Sequence, residues 1–106
     1  MIHDGKARIF IEEFIDSRAV DRHGIQLFSR LDSIELLEYI ADHRIQLYGI
    51  DALKLLGDDG IQPDMEYDFD FDTSSIRDAI EVIKTLDDRY HFEFLGLGGP
   101  EWVIVA

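Results

Sequence analysis

Seven residues in the second half of the chain, Glu66-Tyr67-Asp68-Phe69-Asp70-Phe71-Asp72, alternate acid and aromatic without a break. Side chains of a β-strand point to opposite faces in turn. This period of two predicts a strand with three rings on one face and four carboxylates on the other. Burying the rings contributes about 5–9 kcal/mol. Carboxylates about 6.8 Å apart along the strand repel by about 0.6 kcal/mol per neighbouring pair in water, so the strand is expected to form despite them. The acid face must then stay hydrated or meet a cation.

Around this stretch the patterning alternates between helix and strand. Ala7, Phe10, Ile11, Phe14 and Ile15 recur at helical spacing, with Glu12, Glu13 and Asp16 opposite, predicting a helix over 6–18. A strand there would put an acid on each apolar face. Asp21-Arg22-His23-Gly24 reads as a turn into a strand over 25–31. Asp32 and Ser33 then stand as helix starters, with Glu35 in capping-box position, ahead of a helix to about His43. Ile45 to Leu56 is apolar enough for one strand or a pair broken at Gly49. Gly57-Asp58-Asp59-Gly60 carries a hairpin-turn signal. Pro63 marks a strand end or sheet edge. Ser75 and Asp78 fit a capping box before the apolar stripe Ile76, Ala79, Ile80, Ile83 and Leu86, predicting a helix over 75–88. His91 to Leu95, a turn through Gly98-Gly99-Pro100, and Trp102 to Val105 read as a closing hairpin. Strands outnumber helices and hairpins imply antiparallel pairing. The expectation is a single α+β domain over 1–106, with a mostly antiparallel sheet of four to six strands packed by two or three helices.

Charge narrows the function. The chain carries 23 acids against 10 bases, a formal charge of −13. Residues 51–72 alone hold eight acids and one lysine, −7 of that total. Such a chain repels phosphate, which speaks against nucleic acid and anionic membranes as partners and for a basic protein. There are no cysteines, so disulfides, thiol nucleophiles and zinc–thiolate sites are excluded. With no basic, apolar leader after Met1 and no apolar run of about 18 residues, the expected location is the cytoplasm.

Motifs for chemistry are absent or incomplete. Asp68-x-Asp70-x-Asp72 opens like a calcium loop, but Thr73 stands at the glycine position and Ala79 at the twelfth. Gly96-x-Gly98-Gly99 precedes a predicted strand, so no helix start is offered to a phosphate. His3, His23, His43 and His91 lack metal-ligand spacing; His91 and Glu93 share a strand face and read as an exposed hydrogen-bonded pair. No nucleophile-elbow pattern joins serine, histidine and aspartate. No cofactor, metal or catalytic residue is expected.

Leu31-Asp32-Ser33-Ile34-Glu35-Leu36-Leu37-Glu38 resembles the Asp-Ser-Leu segment of acyl carrier proteins. The resemblance implies phosphopantetheine on Ser33, with Glu35, Glu38 and Asp42 on a recognition helix. It spans about ten residues, Arg30-Leu31 replaces the usual glycine, and that family is all-helical; the competing reading is a simple helix cap. In size, charge and lack of cysteine the chain is also similar in kind to bacterial immunity proteins and other toxin inhibitors, though it carries no motif of theirs. The expectation is therefore a non-catalytic, stoichiometric binder of a basic partner. Its surface would comprise Asp58, Asp59, Asp64, Glu66, Asp68, Asp70 and Asp72, with Trp102 as an aromatic anchor. A carrier modified at Ser33, or a structural module dimerising through the 66–72 edge, are the alternatives.

Overall fold

A computed structural model describes residues 5–98. In chain order its elements are α1 (Gly5–Arg18), β1 (Val20–Arg22), β2 (Ile25–Ser29), α2 (Arg30–Asp42), β3 (Gly49–Leu56), β4 (Gly60–Pro63), β5 (Phe69–Asp70), α3 (Ile76–Ile83) and β6 (Tyr90–Leu95). A single 3-10 turn lies at Met65–Tyr67 between β4 and β5. The sheet runs in the order β1-β2-β6-β3-β4, with β5 added to β3. Every pairing is antiparallel, as the hairpin signals predict. Among the described residues the protein is an α+β domain whose curled sheet carries three helices.

The hydrophobic core explains which face the helices cover. Phe28, Ile50, Ala52 and Phe92 project from one side of the sheet onto Leu36, Leu37 and Ile40 of α2, Ile80 and Ile83 of α3, and Ile11 and Phe14 of α1. Phe92, Ile50, Leu36, Leu37 and Ile83 are fully buried. Phe14, Phe28 and Phe94 pass ring contacts from one to the next at 5.8 and 5.3 Å between centroids. Burial of about 25 cal/mol per Å2 of such surface is what holds the short helices on the sheet.

The start of α2 departs from the sequence expectation. The cap is Ser29, whose Oγ accepts from the Asp32 amide at 3.2 Å, so β2 passes directly into the helix. Asp32 sits inside the first turn, where its charge suits the helix dipole and pairs with Arg18 at 2.7 Å. Ser33 is fully buried, and its hydroxyl donates to the Phe28 carbonyl at 3.2 Å. The hydroxyl is thus engaged inside the fold, and Ser29 takes the place of the expected Asp32–Ser33 cap. The Ser75 cap of α3 forms as expected, accepting from the Asp78 amide at 3.0 Å. The helix ends at Ile83 instead of reaching 88. The Gly57-Asp58-Asp59-Gly60 turn joins β3 to β4, and β4 stops at Pro63.

The larger departure is at 66–72. Only Phe69 and Asp70 form a strand, paired with Ile50 and Gly49. Aspartate side chains compete with the ladder here. Asp64 Oδ1 accepts from the Glu66 amide at 3.3 Å, turning the chain into the 3-10 segment. Asp70 Oδ1 accepts from the Asp72 amide at 2.9 Å, turning it out again. Between them Asp68 reaches back, its Oδ1 accepting from the Ala52 amide at 2.7 Å. Together with the bond from the Asp64 amide to the Ala52 carbonyl (2.9 Å), it occupies the stretch of β3 edge that neither β4 nor β5 covers. The period-two burial partly survives this irregular backbone. Tyr67, Phe69 and Phe71 pack on the core, while Glu66, Asp70 and Asp72 are exposed. The sheet edge expected to support dimerisation is thus two residues long. The expected strand Trp102–Val105, and Gly99 and Pro100 of its turn, lie outside the described residues.

Candidate functional site

The local turns at 64–72 shape a recess of about 490 Å3 beside the end of β3. Tyr48, Gly49, Asp51, Asp68, Phe69, Asp70, Asp72 and Leu95 line it. Tyr48 is held in place by its own backbone: its amide donates to the Leu95 carbonyl and its carbonyl accepts from the Phe71 amide, both at 2.9 Å. The ring lies over Gly96, where a Cβ would run into it, and the φ of 66° there favours glycine as well. Gly49 admits the Phe69 carbonyl against its Cα, so both glycines are required by close approach. Phe69, whose ring lies nearly parallel to that of Phe71 with centroids 6.4 Å apart, gives the recess an apolar wall.

Its electrostatics come from neighbouring strands. Asp51 on β3 stands directly opposite Glu93 on β6. Like charges in that position destabilise a sheet. Burial pushes the Asp51 carboxyl above its usual range, and the negative charge of Asp68 pushes it further. Burial likewise raises Glu93, with Asp51 adding to it. Among the described residues no lysine, arginine or histidine forms an ion pair with Asp51, Asp68 or Glu93. The described residues contain no group of three or more histidines and acids placed to hold a metal ion.

The expected acid surface is thus split. Asp68, Asp70 and Asp72 meet at the recess. Asp64 is spent internally: its Oδ2 accepts from the Tyr90 hydroxyl at 2.6 Å and lies 4.0 Å from Lys54 Nζ. That bond pushes the Tyr90 phenol up to about 12. Glu66 is exposed on the 3-10 turn, where its carboxylate raises the Tyr67 phenol. Asp58 and Asp59 sit on the β3–β4 turn, with the His23 ring 3.5 Å from the Asp59 carboxylate. His91 bonds the Arg89 carbonyl at 3.3 Å and makes no pair with Glu93. Trp102 lies outside the described residues. Sequence reasoning missed Tyr48, Asp51 and the pairing of Asp51 with Glu93. A signal existed, a single acid between apolar residues in both Ile50-Asp51-Ala52 and Phe92-Glu93-Phe94, but only the register brings the two together.

Compared with known protein families, curated proteins and solved structures, the chain matches none. No helix among the described residues is long and apolar enough to cross a membrane.

Proposed function

We propose that this protein is a non-catalytic binding domain that takes a basic protein partner at the Asp51–Asp68–Asp70–Asp72 recess, in the manner of a stoichiometric inhibitor. One observation carries the reading: Asp51 and Glu93 face each other across adjacent strands, and neither forms an ion pair with a base among the described residues. A sheet gains nothing by opposing two carboxylates. A cation arriving from a partner would relieve the repulsion between them. The aromatic walls Tyr48 and Phe69 add apolar contact to the stem of an inserted lysine or arginine. The net charge of −13 would speed encounter with a basic surface and repel acidic competitors.

The test compares the wild type with the Asp51→Asn/Asp68→Asn/Glu93→Gln variant as baits for a basic partner, followed by kinetics with the partner so found. The expected result is a complex lost by the neutral variant, with an association rate that falls as salt rises from 50 to 500 mM, as about a threefold shorter screening length requires. A partner held equally by both proteins, or a salt-independent rate, refutes the recess as the binding site.

A further inference from the structure

The β1–β2 hairpin follows the main ladder for only a short distance. β2 pairs with β6 at Phe28↔Phe92 and Ser29↔His91, whereas Ile25 and Leu27 pair with β1. Register alone directs the hairpin tip, His23-Gly24, toward the Leu95 end of β6. It directs the Gly57–Gly60 turn toward the opposite end, beyond Tyr90. The two tips nevertheless meet. Arg22 donates from Nη1 to the Gly60 carbonyl at 3.0 Å and from Nη2 to the Gly57 carbonyl at 3.3 Å. His23 Nε2 donates to the Asp59 carbonyl at 2.8 Å. The hairpin therefore bends back over the face of the sheet that the helices leave uncovered.

Two further observations fit this arrangement. Leu27 and Leu53 are 0% and 5% exposed, yet neither belongs to the helix-side core. Their places in the register put them on the opposite face from Phe28, Ala52 and Phe92, beneath the returning hairpin. His23 also adopts φ of 56°, a left-handed turn position that asparagine and glycine take more readily. The histidine at this disfavoured position is the one whose ring reaches the other hairpin, and such strain gathers where a local contact over-determines the backbone.

We propose that the β1–β2 hairpin is a flap, hinged at Phe28–Ser29 and latched at its tip by Arg22 and His23, whose release uncovers Leu27 and Leu53. The hinge is two residue pairs wide, and the latch consists of hydrogen bonds from two side chains to backbone carbonyls. An element held so locally opens without unfolding the helix-side core. None of the flap's residues lines the recess, although Asp51 and Glu93 lie on the same sheet face as Leu27 and Leu53.

Because the chain has no cysteine, a single Leu53→Cys reporter tests the flap. Its labelling by a thiol reagent under native conditions should accelerate about tenfold when Arg22→Ala is added, the effect expected from losing the two hydrogen bonds, one part-buried and one exposed, that Arg22 gives the latch. A Leu36→Cys reporter in α2 should label at one slow rate with or without Arg22→Ala. His23→Asn keeps the left-handed turn and removes the ring, so it should accelerate position 53 to a smaller extent and decides the matter if Arg22→Ala does not fold. Equal acceleration at positions 36 and 53 would mean global opening and overturn the flap. Unchanged labelling at position 53 in the folded variants would overturn it equally.

Discussion

Asp51→Asn should stabilise this protein while abolishing its proposed activity. Side chains directly opposite on antiparallel strands have Cβ atoms about 5 Å apart, so the Asp51 and Glu93 carboxylates repel over about 5 Å. At effective dielectric constants of about 40–80 that is about 1 kcal/mol. Asp51 accepts no hydrogen bond from a described residue, so the amide removes charge without orphaning a donor. With an unfolding entropy of about 2 cal/mol/K per residue, the melting temperature should rise by about 5 °C in low-salt buffer at neutral pH. The gain should fall by more than half in about 0.5 M salt, where screening acts within about 4 Å. Adding Glu93→Gln to the variant should gain much less than the same change in the wild type, because the repulsion can be relieved only once. Equal gains in both backgrounds, or an Asp51→Asn protein no more stable than the parent, would show that the two carboxylates do not interact and remove the ground for the binding site.

Two further outcomes follow from the same region. Asp51 and Glu93 are raised in the folded state, so between the unfolded and folded values the native protein holds more protons, and the pair's destabilising effect should fade as pH drops from neutral toward about 4. Asp87, held low by Arg89, works in the opposite sense, so the measurement is the stability difference between the wild type and Asp51→Asn/Glu93→Gln across pH; a difference constant with pH would show that neither carboxyl is raised. Asp68→Ala should cost about 1–3 kcal/mol by urea unfolding, since it strips the Ala52 amide of its acceptor, whereas Asp68→Asn keeps an oxygen there and should cost less; equal losses would show that the contact to Ala52 is not what stabilises this turn.

What the sequence disclosed was local. The apolar stripe of α3 and its Ser75 cap, the Gly57–Gly60 turn and the stop at Pro63 depend on neighbours a few residues away. The cap of α2 was misplaced because Ser29, Asp32 and Ser33 are all good starters, and only the end of β2 selects among them. The 66–72 stretch shows the limit of periodicity. Alternate burial arises equally from a strand and from a chain bent by aspartates that each bind a nearby amide, and nothing in the spacing separates the two. The recess needed strand register, which joins residues 42 positions apart in Asp51 and Glu93 and is written nowhere in either segment alone.

The loop that returns to Ala52 has an effect beyond recognition. A central strand with a gap along its side would offer bare amides and carbonyls to any extended peptide, the first step toward fibrous aggregation. Here the gap is filled by one aspartate oxygen and one backbone amide of the same chain. The domain carries its own stopper against runaway stacking, made from the segment that most resembled another strand.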